Sequence, residues 1–289
     1  ITTPYTFYAT VGAIASIGAI PKFVDVTDDY NIDENKIEKT ITKKTKAILP
    51  VHWAGLICNM KTISKISKKY KLHIIEDACH AILANRQGKS PGYYSSAAAY
   101  SMHPLKNLNV WGDGGVVTTN SKKIRDKIML LRNHGLTNRD KCKIFAGNSR
   151  LDTIQAIVAN SMLKKISLIT NSRIRNAKLF DNLLSDVKQV MLPKRYKDAK
   201  QVYHLYIIKV SNRDKLKKFL NLFGIDAKIH YPTPMHLQPA SKIYNYKKGD
   251  FPVTEKFTKK ILSIPVHEYI SIGDVNFIVN KIKDFYKNK

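Results

Sequence analysis

Two side chains of opposite charge stand just beyond two strand-like runs of this sequence. Asp77 ends the run 72–77 (LHIIED), and Lys106 follows the run 97–102 after three further residues. In open α/β sheets, ligands bind beyond the carboxyl ends of the strands, so both positions are candidate site positions. His80 lies three residues past Asp77; Ser101, His103 and Asn107 surround Lys106. A lysine amine condenses with an aldehyde to a Schiff base. A carboxylate can keep a pyridine nitrogen protonated, which turns the ring into an electron sink. An acid at one strand end and a lysine past another therefore match the logic of pyridoxal phosphate chemistry.

The elements that must position these residues are legible in the pattern of apolar residues. Residues 19–26, 46–53, 72–77, 97–102 and 115–119 read as strands. Met60, Ile63, Ile66 and Tyr70 recur at helical spacing between lysines, and Ile124, Ile128 and Leu131 mark another helix. Strands alternating with helices predict an α/β domain with a largely parallel sheet. From about residue 148 the character changes. Residues 151–184 lack Pro and Gly and predict one or two long helices. Strands at 202–210 and 226–230 with helices at 213–222 and 273–285 then predict a smaller α+β domain. The division expected is 1–160 for a large cofactor-binding domain and 161–289 for a linking helix and small C-terminal domain. The Pro-rich segment 231–239 reads as an ordered loop that belongs to a site rather than a linker.

Several segments, in order along nearly the whole chain, carry a family resemblance. They are Ile74-Ile75-Glu76-Asp77-Ala78-Cys79-His80-Ala81, and Tyr100-Ser101-Met102-His103-Pro104-Leu105-Lys106-Asn107 with Gly112-Asp113-Gly114-Gly115. Asn133-His134-Gly135, Gly147-Asn148-Ser149-Arg150-Leu151-Asp152 and the loop from Ile229 to Pro239 follow. Together they resemble the sugar aminotransferases of the DegT/DnrJ/EryC1/StrS group. The resemblance implies a PLP-dependent transferase of fold type I, aspartate aminotransferase-like, with a mixed, mostly parallel large-domain sheet and a small α+β C-terminal domain.

The resemblance also implies roles. Lys106 is the Schiff-base lysine and proton shuttle; Asp77 pairs with the pyridine nitrogen rather than capping a helix. Glu76 faces the other side of the strand by period-two alternation and is given no such role. His80 lies beside the cofactor ring and its oxygen, the alternative being a core histidine. Ser101 bonds the cofactor phosphate, and Asn148 reaches the phosphate of a neighbouring subunit's cofactor, the alternatives being a plain strand-end serine and a turn residue. Phe7 stacks on the pyridine ring or packs in the core. Arg150 meets substrate phosphate or anchors its turn. Tyr231 and His236 contact substrate or brace a Pro-rich loop. Gly112, Gly114 and Gly115 read as a tight turn, because no GxGxxG or GKS/T pattern accompanies them.

A branch of the family that deoxygenates sugars has His in place of the lysine, so Lys106 favours transamination. The expected substrates are an amino-acid donor, glutamate in this family, and a keto nucleotide-diphospho-sugar acceptor, with a 3-keto sugar ahead of a 4-keto sugar. A homodimer with shared active sites is expected. The family's chains begin before residue 1 and include a Ser-Gly-Thr segment that cradles the cofactor phosphate, so an N-terminally truncated large domain is expected. A non-catalytic regulator or sensor on the same fold is the alternative from another class.

Composition bounds these readings. The 289 residues carry 49 Lys+Arg against 22 Asp+Glu, a formal charge of +27, with 44% hydrophobic and 25% charged residues. That excludes intrinsic disorder, collagen and a disulfide mini-protein. Forty of the basic residues are Lys, spread along the chain, and 9 are Arg. Nucleic-acid readers lean on clustered Arg, so nucleic-acid binding is not expected, and a lysine-rich shell around an anion-binding site is. Cys58, Cys79 and Cys142 lack CxxC spacing, which argues against a disulfide framework or a metal site. A reducing, cytoplasmic compartment fits them. No apolar run approaches the ~18 residues of a membrane span.

Overall fold

The computed structural model describes residues 1–287, so the last two residues of the expected second segment, 288 and 289, lie outside the described residues. In chain order, α1 (Tyr8–Ser16) and α2 (Glu34–Thr40) precede β1 (Ala47–Ile48), α3 (Met60–Lys69) and β2 (His73–Asp77). Then come β3 (Asn85–Arg86), β4 (Ala97–Ser101), β5 (Gly115–Thr118), α4 (Lys122–Leu131) and the pair β6 (Leu136–Asn138) and β7 (Lys141–Cys142). Next are α5 (Thr153–Leu163), α6 (Ile166–Leu184), β8 (Val190–Met191), β9 (Ala199–Lys200) and β10 (Tyr206–Val210). The chain closes with α7 (Arg213–Leu222), α8 (Pro252–Lys260), β11 (Ile261–Ile264) and α9 (Ile272–Lys287).

The main sheet has the order β1-β2-β4-β5. Its first three strands run parallel and β5 returns antiparallel against β4. This is the mixed, mostly parallel sheet of the expected fold class. The register sets Asp77 beside Ala99, so the carboxyl ends of β2 and β4 open on the same edge. A second, antiparallel sheet has the order β11-β10-β8.

Local sequence explains the elements beside the site. In α3, Met60, Ile63 and Ile66 are buried at three-residue spacing, and the Asn59 side chain caps the helix by accepting from the Thr62 N–H at 3.4 Å. Along β2, burial alternates, with Ile74 and Glu76 inward. In α6, Ile169, Arg173, Ala177, Phe180 and Leu184 form one buried stripe. It carries the chain from a cluster around Met102, Leu108 and Ile166 to the apolar core of the C-terminal region. A separate core forms around Ile37, Ile48, Ile63, Ile74 and Ala98.

Four strand expectations change in extent. Residues 19–26 form no regular strand: Thr2 and Phe23 make one parallel bridge, and Pro21 cannot donate to a ladder. In 46–53 the regular strand stops at Ile48 because Pro50 interrupts donation. The chain stays extended, however. The Asp77 N–H donates to the Pro50 carbonyl at 2.9 Å and the His52 N–H to the Asp77 carbonyl at 3.0 Å. In 202–210 only Tyr206–Val210 is strand, because residues 202–204 turn toward the site. In 226–230 one bridge, Lys228 with Ser263, remains, since the Ala227 N–H bonds the Ile225 carbonyl locally. The stretch 151–184 is two helices, α5 and α6.

Phe180 is fully buried in the C-terminal core, packed at 5.1 Å between ring centroids against Tyr206. Phe180→Ala is expected to cost about 3–5 kcal/mol, read as a lower midpoint in urea unfolding with an unchanged slope.

Candidate active site

Asp77 and Glu76 leave β2 on opposite faces. Glu76 is 1% exposed; one of its carboxylate oxygens pairs with His52 and the other accepts from the Gly92 N–H at 2.8 Å. Burial opposes its charge, but these bonds and His52 together hold the carboxyl below its usual value. Glu76 is thus spent on structure. Asp77 faces the site. Its Oδ1 accepts from the Cys79 N–H at 3.1 Å and its Oδ2 from the Thr10 hydroxyl at 2.7 Å.

His80 is 8% exposed and packs between the rings of Trp53, centroids 5.4 Å apart, and His204, 4.2 Å apart. Its Nδ1 accepts from the Ala54 N–H at 3.3 Å. Nδ1 therefore carries a lone pair, and the ring proton sits on Nε2. Burial, with Lys106 and His230 nearby, pushes His80 well below the ordinary histidine value, so it stays neutral. The Ala54 N–H is aimed by a tight turn over Trp53–Gly55, in which Ala54 takes φ 52°. Gly55 has φ +87°, and a Cβ there would lie 2.7 Å from Val202 Cγ2 and 3.0 Å from the His80 carbonyl oxygen. Only glycine fits.

Lys106 is half-buried in the segment after β4. Its own N–H donates to the His103 carbonyl at 2.8 Å, and the Asn109 side chain donates to the Lys106 carbonyl at 3.1 Å. Burial pulls the amine below the ordinary lysine value, against attraction from Cys79 and Asp77. A lysine so placed reaches its neutral, nucleophilic form more easily than a surface lysine. Burial, with Asp77 close by, also raises the Cys79 thiol, which leaves it unreactive.

The other residues singled out in the sequence divide into two groups. Phe7, 50% exposed, caps the start of α1 and lies 5.7 Å from the Tyr231 ring, which lies 5.4 Å from Trp53. Burial first, then the charge of Asp77, raises the Tyr231 hydroxyl, which keeps it protonated. Ser101 ends β4 and its hydroxyl accepts from the His103 N–H at 3.2 Å. Phe7, Asp77, His80, Ser101, Lys106 and Tyr231 thus gather at the strand ends. Asn148 and Arg150 do not join them within this chain. They are exposed, with Arg150 Nε donating to Asn148 Oδ1 at 3.0 Å and its guanidinium to Asn133 Oδ1 at 3.3 Å. His236 is 2% exposed, bonded to Glu255 at 3.0 Å and packed on Phe251 in a cluster with Phe23 and Met235.

Three residues near the site were not singled out in the sequence. Thr10 contacts Asp77; its signal was a second threonine four residues after Thr6. His204 and His230 come from the C-terminal half. The backbone before His204 is clamped by the Val202 N–H to the Gly55 carbonyl at 3.1 Å. Asn107 adds a bond to the Val202 carbonyl at 2.9 Å, and Arg173 one to the Tyr203 carbonyl at 3.3 Å. No local pattern marks such long-range contacts.

The donor set suits a substituted pyridine aldehyde: a carboxylate for a ring N–H, an imidazole N–H for a ring oxygen, a half-buried amine and an exposed aromatic face. Beside His80, the buried Trp53 Nε1 and His204 Nδ1 atoms have no hydrogen-bond partner among the described residues. Among the described residues no group of three or more His, Cys, Asp or Glu is arranged to hold a metal, and no helix is long and apolar enough to cross a membrane.

The model of the DegT/DnrJ/EryC1/StrS aminotransferase family matches residues 1–283. A "Pleiotropic regulatory protein" of Geobacillus stearothermophilus is 38% identical over 291 residues, covering 100% of this chain and 78% of the relative. The UDP-N-acetyl-3-dehydro-alpha-D-glucosamine 3-aminotransferase of Acidithiobacillus ferrooxidans is 34% identical over 268 residues, covering 92% of this chain and 72% of the relative. Among solved structures, DesV of S. venezuelae superposes with a TM-score of 0.95 at 32% identity, covering 98% of this chain and 76% of that one.

Three histidines beside the site, His80 buried and His204 and His230 half-buried, carry a pH signature. His80 and His204 are held well below the ordinary value and His230 at about 4, in each case chiefly by burial. In the unfolded chain they take up protons near pH 6.5. Stability from their neutral burial is therefore complete above that pH and falls as the pH drops, by up to about 1.4 kcal/mol per unit for each histidine. Urea unfolding is expected to show a clear loss from pH 7 to pH 5, with a shallower loss in His80→Gln. A flat profile in the unsubstituted protein contradicts this.

Proposed function

The chain belongs to the DegT/DnrJ/EryC1/StrS aminotransferase family, whose cofactor is pyridoxal phosphate, and on that premise we propose the following reaction. It moves an amino group from an amino acid, with glutamate the preferred donor, to a keto sugar carried on a nucleoside diphosphate. A 3-keto acceptor is placed ahead of a 4-keto one; the name of the A. ferrooxidans relative supports that order. The observation that carries the reading is the half-buried Lys106 amine held beside Asp77, with the neutral His80 facing the same space.

When bound, the cofactor supplies an aldehyde that condenses with amines and a pyridinium ring that draws electrons from the adjacent carbon. The protein's residues do the rest. Asp77 would accept the ring N–H and keep that nitrogen protonated. His80 would donate its Nε2–H to the ring oxygen, a tautomer fixed by the Ala54 bond to Nδ1. Phe7 would cover one face of the ring, and Ser101 would donate to the phosphate. Lys106 would hold the cofactor covalently, and its amine, when free, would move the proton that the transfer requires. Burial suits it to both tasks by lowering the cost of its neutral form.

In the same proposal Asn148 reaches the phosphate of a second copy's cofactor. This accounts for an asparagine that stays exposed on its own chain, beside the fully exposed Phe145. Such a site requires a homodimer. Tyr231 meets the substrate beside Phe7, and Arg150, from the same segment as Asn148, meets its phosphates. His236 supports the loop that carries Tyr231 and is the weakest of the proposed substrate contacts, given its bond to Glu255. The proposed division into a large domain, 1–160, and a linking helix with small domain, 161–289, is supported by a core whose buried residues all lie between Ala177 and Phe285, while clusters such as that of Tyr5, Trp53 and Ile207 join the two parts.

A second reading has one observation in its favour: the G. stearothermophilus relative is named as a regulatory protein. Turnover separates the two. With ¹⁵N-glutamate and a panel of keto nucleotide sugars, mass spectrometry is expected to find the label in the 3-amino product of a 3-keto sugar. Lys106→Ala should cut transfer on the order of 10³-fold or more while leaving the circular dichroism unchanged. Transfer that survives Lys106→Ala overturns the assignment of Lys106. No transfer by a folded, cofactor-loaded protein to any acceptor favours the regulator.

A further inference from the structure

The helix α1 has an unusual burial pattern. Its sequence, YATVGAIAS, is apolar, yet the residue it buries is a threonine, Thr10, while Tyr8 stays half exposed. The burial serves a hydrogen-bond chain. The Thr10 hydroxyl donates to Asp77 Oδ2 at 2.7 Å, and the hydroxyls of Thr6 and Thr10 lie 2.7 Å apart. A threonine hydroxyl has one proton, and Thr10 spends it on Asp77, so Thr6 is the donor to Thr10. Thr6 is 2% exposed and Thr10 6%, so bulk water is a poor substitute for either bond.

We propose that Thr10 is a positioning residue that acts through Asp77, with Thr6 behind it as the second member of a directional relay. The inference rests on the role given to Asp77 above. A carboxylate that accepts two donors, the Thr10 hydroxyl and the Cys79 N–H, is oriented and stabilised in its charged form. A charged carboxylate favours the protonated ring nitrogen. Without the Thr10 bond, Asp77 holds the shared proton more strongly, and the proton moves from the ring nitrogen toward the carboxylate. Thr6 lies just before α1, across the extended Phe7, and its hydroxyl meets that of Thr10 in the first turn of the helix. The same short segment carries Phe7, so the residue proposed to cover the ring and the residue that tunes its nitrogen are fixed together.

The test uses the full chain loaded with pyridoxal phosphate labelled with ¹⁵N in the ring. Thr10→Val keeps the shape and removes the hydroxyl. It is expected to move the ¹⁵N resonance from the pyridinium toward the neutral pyridine position and to weaken cofactor binding about tenfold, one charge-assisted hydrogen bond. Thr10→Ser should restore both to within about twofold, a rescue that lost packing alone would not give. Thr6→Val, which leaves the Thr10–Asp77 bond in place, should shift the resonance in the same direction by less, and keeps the test decisive if Thr10→Val does not fold. Asp77→Asn separates the two claims. If Asp77→Asn leaves the resonance unchanged, the role of Asp77 fails. If Asp77→Asn shifts it but Thr10→Val, or Thr6→Val in a case where Thr10→Val is unfolded, does not, the relay is overturned.

Discussion

A primary amine that must be able to lose its charge is held here beside a carboxylate that must keep its own. In water the amine would do the opposite of what its role requires, because a free lysine is charged at neutral pH. Half-burial of Lys106 lowers the cost of the neutral amine, while Asp77 and Cys79 pull the other way. Asp77 is kept an acceptor by two protein donors, the Thr10 hydroxyl and the Cys79 N–H. The surrounding structure follows from the need to satisfy both groups within one small space.

Three distant stretches of chain meet that need. The parallel strands β2 and β4 bring Asp77 and the Lys106 segment to one sheet edge. The turn Trp53–Gly55, tight enough to demand glycine at 55, aims the Ala54 N–H at His80 and fixes its tautomer. The segment 202–204 closes from the C-terminal half, tied to Gly55 on one side and to Asn107, next to Lys106, on the other. Arg173, itself paired with Glu268 at 2.9 Å, holds the end of that segment. The result is a row of rings, Phe7, Tyr231, Trp53, His80 and His204, with each centroid within 5.7 Å of the next. The basic excess of +27 elsewhere forms a surface that suits a phosphorylated cofactor and a nucleotide sugar, both anions.

Much of this was legible in the sequence where function and local pattern coincide. Asp77 and His80 stand at the end of a run marked by Ile74 and Ile75, Ser101 and Lys106 at the end of the short small-residue run 97–102, and the opposite faces of Glu76 and Asp77 follow from strand geometry alone. Family motifs then supplied the roles. What escaped was carried by long-range contact. Helix α1 has no amphipathic stripe, because it buries a threonine for Asp77 rather than an apolar face for a core. The strand β11 was missed because ILSI, although at an edge of its sheet, is buried at every position and shows no alternation. The stretches 19–26 and 46–53 were overread as regular strands because Pro21 and Pro50 break ladders without breaking the extended course of the chain. His204 read as a residue within the strand 202–210; only the fold sets it against His80.

The claim on which the rest stands is that one lysine of 40 is set apart by its surroundings. Borohydride reduction of the protein loaded with one equivalent of pyridoxal phosphate, followed by peptide mass spectrometry, tests it directly. The account predicts a single pyridoxyl-modified peptide, the one that contains Lys106. Label spread over surface lysines, or concentrated on any other lysine, would contradict it.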